Sequence, residues 1–147
     1  MSKDQLFIGI DSGTQGTKGV VFSRKKGRIQ AEAYTDHQLI ENIGGRREQE
    51  PEWWIKACST VIGRLMKKIN VSRDMICAIG VSGQQHGMVP LVARGDVIRP
   101  AKLWCDTETS PQCGQIIARI GSPEKVIELI GNSVAAGFTA SKILWLK

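Results

Sequence analysis

No two cysteines in this chain stand at the close spacing of a zinc knuckle or a redox pair. The four are Cys58, Cys77, Cys105 and Cys113, and the nearest two, eight residues apart, have no histidine beside them to complete a metal site. Reduced, mostly buried thiols are therefore expected, and with them a cytoplasmic protein. Long apolar runs are also missing. None approaches the roughly 20 residues of a membrane helix, and the opening MSKDQLFIGID lacks the charged-then-apolar build of a signal peptide. Nor is there a block of one charge. The net charge of +6 is spread along the chain, and its densest run, Arg24–Arg28, sits where a hairpin turn belongs, with no aromatic residues interleaved to stack on bases. Nucleic-acid binding and membrane insertion are both set aside. Histidine is scarce, with only His37 and His86.

What remains is an ordinary globular balance, 41% hydrophobic and 23% charged, in 147 residues, a length that suits one domain with a real core. LFIGID and TKGVVFS are β-branched apolar runs separated by the glycine-rich SGTQG, and IQAEAYTDHQ alternates after the turn RKKG. Three strands with short turns predict an antiparallel meander. GGRREQEP reads as a loop, and Pro51 opens a helix on which Trp54, Cys58, Val61, Leu65 and Ile69 share one face. ICAIGVSG predicts a buried strand, and MVPLVA and VIRPAKLW predict two more around the turn RGD, with Pro90 and Pro100 pushing them to a sheet edge. Helices are expected from Ser110 to Gly121, from Ser122 to Gly131, and along TASKILWLK. The order of elements indicates a mixed α/β domain.

The stretch GIDSGTQGTKGVVF puts a glycine-rich turn after a strand. A dinucleotide fingerprint would continue into a helix, and a Walker loop would end in Gly-Lys-Ser/Thr; neither occurs. A tight hairpin remains, in which the backbone N–H groups of Gly13, Thr14 and Gln15 can face phosphate oxygens. Asp11 at the strand end would repel phosphate unless a divalent cation lay between them, so it implies Mg²⁺ held through water. Lys18 offers a point charge for the transferred phosphoryl group. Farther on, VSGQQHGMV places Gln85 and His86 between glycines just after an apolar strand. A lone histidine there is ordinarily a hydrogen-bonded turn residue, the reading also given to His37 in the third strand.

These segments resemble, in order, those of the FGGY carbohydrate kinases of the actin, Hsp70 and sugar-kinase superfamily. IDSGTQGTKGVVF resembles the first phosphate motif, EQEPEWW a helix start, and VSGQQHG the GQMHG or GQQHG loop of members acting on xylulose. VIRPAKLWCDTET resembles RPAILWNDxR, and GNSVAAGFTASKILWL the GFTAPKLLW signature segment. Together they cover nearly the whole chain. The resemblance implies a ribonuclease-H-like fold, a mixed sheet with flanking helices, of which residues 1–147 would be an incomplete N-terminal domain. It implies transfer of the γ-phosphoryl of ATP to a ketopentose, D-xylulose above all, with Mg²⁺ as cofactor and room for a homodimer.

By the same resemblance Gln85 and His86 contact the sugar, which agrees with the need of a polyol for groups that both donate and accept. Trp104 and Asp106 match the family's Trp-x-Asp, an indole wall and a carboxylate for a hydroxyl. Asp11 supports the chemistry through the cation, while the general base lies outside these motifs. Members of the family have two such domains, so the chain alone is expected to be inactive. The alternative is a non-catalytic sugar- or partner-binding fragment of the fold. Gln85 stands where many relatives have methionine, and Ser141 where proline is usual, a small change because serine tolerates an early helical position.

Overall fold

The computed structural model describes residues 4–147, which fold as two compact units interleaved in sequence. The first takes residues up to Gln38 and Glu52–Gln84; the second takes Leu39–Pro51 and Gln85–Lys147.

In the first unit, β1 (Leu6–Ser12), β2 (Gly16–Ser23) and β3 (Arg28–Asp36) form the expected meander. β6 (Ile76–Gly83) adds parallel to β1, giving the order β3-β2-β1-β6. Side chains alternate across a strand, so Leu6, Ile8 and Ile10 line one face of β1 and all are buried. Onto that face packs α1 (Pro51–Ile69), whose Ala57, Val61 and Leu65 recur at helical spacing and are buried. Val21, Ala31 and Ala33 complete the core. Fully burying a Val, Leu or Ile side chain is worth about 1.5–3 kcal/mol, so this stripe is the main force holding helix to sheet.

Close approach requires glycine where β2 meets α1. A Cβ at Gly19 would collide with Val61 and Leu65 of α1. β6 departs from expectation: it forms, but as the sheet edge, and Ile79 and Val81 are exposed. Its apolar run does not mark a strand covered on both faces here.

The second unit carries a small sheet in the order β4-β5-β7, from Ile40–Glu41, Arg47–Gln49 and Ala101–Lys102, and the helices α2 (Ser110–Ile120), α3 (Pro123–Ile130) and α4 (Thr139–Leu146). The helix limits follow the punctuation. Ser122 accepts from the Lys125 N–H as an N-cap, and Gly131 ends α3 in the left-handed conformation at φ 71°.

Two expectations fail here. GGRREQEP is not all loop, because Arg47–Gln49 becomes the central strand of the small sheet. The segments MVPLVA and VIRPAKLW yield only the bridges Leu91–Val97 and Met88–Lys102 and the two-residue β7. Pro90 and Pro100 lack the N–H that a continuous ladder requires. The cysteines are also less buried than expected, with Cys77 exposed and Cys113 alone in the core. Among the described residues no helix is long and apolar enough to cross a membrane.

Gly19→Ala should lower stability by about 1–3 kcal/mol through overpacking against α1. Gly80→Ala, where an added Cβ meets nothing within 4 Å, serves as the control in urea denaturation. Equal midpoints for the two variants would show that the helix–sheet contact is not tight at Gly19.

Candidate functional site

The turn between β1 and β2 is built from behind. Gly13 and Gly16 close it, the Gly13 N–H donating to the Gly16 carbonyl at 3.0 Å. That donor is therefore spent inside the turn, and the expectation that it faces a ligand is corrected. The Gln15 carbonyl accepts from the His37 N–H at 2.9 Å and from the Tyr34 hydroxyl at 3.1 Å. The His37 ring lies between the Gly13 carbonyl, 3.0 Å from Nδ1, and the Thr17 hydroxyl, 2.9 Å from Nε2. It stands one residue past the end of β3. Burial pushes its pKa down despite the Gly13 carbonyl and nearby Asp36. Thr14 is tied by its hydroxyl to the Gln84 amide oxygen at 3.2 Å.

Register sets the polar face beside this turn. Asp11 pairs with Lys18 across β2 and with Ser82 across β6, so all three side chains leave the sheet on the side away from α1. They border a shallow depression of about 560 Å³ together with Gly9, Val20 and Gly80. Asp11 is exposed. The Lys18 ammonium is drawn to Glu32 at 3.2 Å, both side chains more than half exposed. Such a pair is worth about 0–1 kcal/mol and is easily released toward a stronger anion. A wider groove of about 770 Å³ between α1 and β6 is lined mainly by apolar residues, among them Ile8, Ile62, Met66 and Ile79, with Ser59, Lys67 and Arg73 also on its wall.

In the second unit His86 has φ 56°, a left-handed conformation that costs a residue with a Cβ. Three contacts hold it there. The Lys142 ammonium donates to the His86 carbonyl at 2.6 Å and to the Gly137 carbonyl at 2.7 Å, and the Thr139 hydroxyl reaches the same His86 carbonyl at 3.5 Å. The imidazole lies 4.8 Å from the Phe138 ring, tilted by 46°. Lys142 is fully buried, and burial pushes its pKa down, only partly offset by Asp106. Gln85 and the His86 ring are exposed, as is Trp104, whose carbonyl lies so close to Gly137 that a Cβ there would strike it. The segment Gly137–Phe138 thus touches both Trp104 and His86. Ser141 does more than tolerate its position. Its buried hydroxyl meets Thr109 Oγ1 at 3.0 Å and the carbonyl of Phe138 at 3.1 Å, tying this segment to α2.

Asp106 is placed differently from expectation. Its carboxylate is buried and committed: Oδ2 accepts from Lys102 at 2.8 Å and from the Arg47 N–H at 2.9 Å, and Oδ1 from the Glu108 N–H at 3.1 Å. Lys102 also donates to Glu48 at 3.2 Å and Glu108 at 2.6 Å, so its three N–H bonds serve three carboxylates. Arg99 joins Glu48, and Trp145 lies over both Arg99 and Lys102. Glu48, Asp106 and Glu108 lie close enough to hold a metal ion, but the Lys102 ammonium already bridges them.

Sequence reading missed Lys142, Phe138, Thr17 and the role of His37. One signal was available for Lys142, a lone cation directly before the apolar run ILWL of its helix. Burial alone would push Lys102 down, but its bonds to Asp106 and Glu108 raise it on balance. Burial alone would raise Glu108, but Lys102 and Arg46 lower it on balance.

Glu108 therefore contributes stability that is present above the ordinary carboxylate value of 4.5 and lost as pH falls through its folded value. Lys102 contributes stability that is kept through neutral pH and lost only as pH rises past its folded value, above the ordinary 10.5. Lys102→Met should cost about 3–5 kcal/mol at neutral pH by leaving carboxylates buried without their cation. The deficit should shrink as acid protonates them. Urea denaturation of both proteins across the acid range is the measurement, and a deficit independent of pH would mean that packing, not charge, is lost.

Residues 6–147 match the N-terminal domain of the FGGY family of carbohydrate kinases. A xylulose kinase of Haemophilus influenzae is 39% identical over 146 residues, 97% of this chain but 30% of that protein. Two solved structures from Lactobacillus acidophilus are each 26% identical. A ligand-bound xylulose kinase has a TM-score of 0.84, with 97% of this chain and 28% of that one covered. A gluconate kinase has a TM-score of 0.85, with 98% and 28% covered. The chain thus spans about 30% of the length of the curated relative, and its fold is that of the actin-like sugar kinases. With the family model covering all but its first few residues, this chain belongs to the FGGY family of carbohydrate kinases.

Proposed function

We propose that this chain supplies the phosphate turn and much of the sugar site of an ATP-dependent ketose kinase, with D-xylulose as the acceptor. The observation that carries the reading is His86. A left-handed backbone, a buried lysine on its carbonyl and an aromatic ring beside it all serve to hold one exposed imidazole in place. Strain of this kind is retained where a side chain must be aimed. Gln85 beside it adds an amide, so the loop offers donors and acceptors together, which sugar hydroxyls require. The exposed Trp104 indole suits the C–H face of a sugar. Asp106 enters the proposal through the turn that it fixes beside Trp104. The choice of D-xylulose rests on this loop and on relatives named for that activity.

Phosphoryl transfer depends on positioning and charge stabilisation. Asp11, exposed and flanked in register by Ser82, suits a hydrated Mg²⁺, a hard cation that takes oxygen ligands and keeps several waters. Bound with ATP, the cation would neutralise charge on the phosphates. The turn of Gly13, Thr14 and Gln15 would seat those phosphates through the amides that follow Gly13. Lys18 would leave Glu32 to meet the transferred group. The base for the attacking hydroxyl is not among these residues, and the 147-residue chain alone is expected to show no turnover in an ADP-release assay with D-xylulose.

Isothermal titration of the chain with D-xylulose tests the sugar half. His86→Ala should weaken binding by about 0.5–1.5 kcal/mol, the value of a hydrogen bond to a neutral hydroxyl, with the melting temperature retained. Unchanged affinity with a collapsed melting temperature would make His86 a structural residue only. Asp11→Asn, which keeps shape and drops charge, should leave D-xylulose binding alone and weaken Mg²⁺-dependent binding of ATP; equal Mg²⁺ dependence in the two proteins would remove the metal role.

A further inference from the structure

We infer that His37 is the positioning residue of the phosphate turn, acting as a neutral Nδ1–H imidazole that turns the Gly13 carbonyl inward and so faces the following amide outward. The inference rests on the kinase reading of that turn, and it concerns a residue that would touch no ligand.

The proton order follows from the partners. A carbonyl can only accept, so the His37 nitrogen 3.0 Å from the Gly13 carbonyl, Nδ1, carries the hydrogen. In a neutral ring Nε2 then has a lone pair, and the Thr17 hydroxyl at 2.9 Å must donate to it. With its proton committed, Thr17 can only accept from the Ser12 hydroxyl at 3.2 Å. Donation runs from Ser12 to Thr17 to His37 and ends on the Gly13 carbonyl, linking the end of β1, the start of β2 and the residue after β3. Burial, which disfavours the charged ring, keeps this arrangement at neutral pH.

The consequence lies in the peptide plane. In a trans peptide the C=O of one residue and the N–H of the next point in opposite directions, and no cis bond occurs among the described residues. Holding the Gly13 carbonyl on His37 therefore directs the Thr14 N–H away from the ring. The Gln15 carbonyl is held toward the same strand by the His37 N–H and the Tyr34 hydroxyl. One histidine thus grips the turn at two carbonyls, with its ring on one and its backbone on the other. A turn fixed before binding loses less entropy when an anion arrives.

The test uses the whole chain, ¹⁵N-labelled, with magnesium tripolyphosphate as the probe. The expected ¹⁵N spectrum of His37 is that of the Nδ1–H tautomer. The probe should shift the Thr14 and Gln15 amides. His37→Leu should weaken that response by up to about tenfold, the upper value for loss of a neutral hydrogen bond, while D-xylulose still shifts Gln85 and His86. His37→Asn, whose amide can donate to the Gly13 carbonyl, should recover part of the loss, which a purely structural role would not require. An Nε2–H tautomer in the wild type, or equal probe affinity in the leucine variant, would overturn the inference alone. Absence of any shift at the turn of the wild type would overturn the kinase reading of the turn and this inference with it. Should the leucine variant fail to fold, the wild-type tautomer and the asparagine variant decide the matter.

Discussion

A carbonyl turned away from water has to meet a donor, and that constraint shapes both loops for which a function is proposed. The Gly13 carbonyl meets the His37 ring, and the His86 carbonyl meets the Lys142 ammonium. In each case a side chain distant in sequence bonds to the backbone of the turn. The exposed side of each turn is left to its amides and side chains. Free energy spent in satisfying the backbone from behind is recovered as rigidity, because a half-satisfied turn would shift between conformers to find water.

The same constraint explains why so many polar residues are buried in the second unit. Lys102 and Lys142 are both fully buried, yet their surroundings have opposite effects. Lys102 sits among three carboxylates and its pKa is raised; Lys142 faces carbonyls and its pKa is lowered. The first exchanges hydration for full countercharge, which ties β5, β7 and the entry to α2 into one network. The second exchanges hydration for two dipoles, a weaker compensation. A lysine kept under those terms holds something specific, and what it holds is His86.

Much of the first unit was legible from the sequence because its signals are periodic. Alternation marks β1, β2 and β3, and Val61 and Leu65 mark the buried stripe of α1 at helical spacing. The second unit was less legible. Arg47–Gln49 is a central strand with no apolar alternation: Gln49 is buried, and Glu48 is buried against Arg99 and Lys102, which come from far along the chain. Pro90 and Pro100, which lack the N–H of a continuous ladder, stand where the two expected strands shrink to bridges and the two-residue β7. The exposed residues of the candidate site, His86 and Trp104, came from motifs. Asp106 came from the same motif, and its burial could not, because burial depends on Lys102 and Arg47 arriving from other elements.

The residues that motifs miss are those whose work is done on the backbone. A side chain that touches a ligand is constrained in type by the ligand, and GQQHG is the pattern on which the proposed sugar contact rests. A side chain that holds a carbonyl needs only a donor at the right place, and His37 and Lys142 fill that need with unrelated chemistry. Ser141 makes the same point. Read as a neutral replacement for proline, it carries a hydroxyl that bonds to Phe138 and Thr109 and so helps seat the ring against His86. Proline at that position would supply no such donor and would have to fix the segment through its own stiffness. The segment can therefore be held either by hydrogen bonds or by a restricted backbone, and this chain uses the hydrogen bonds.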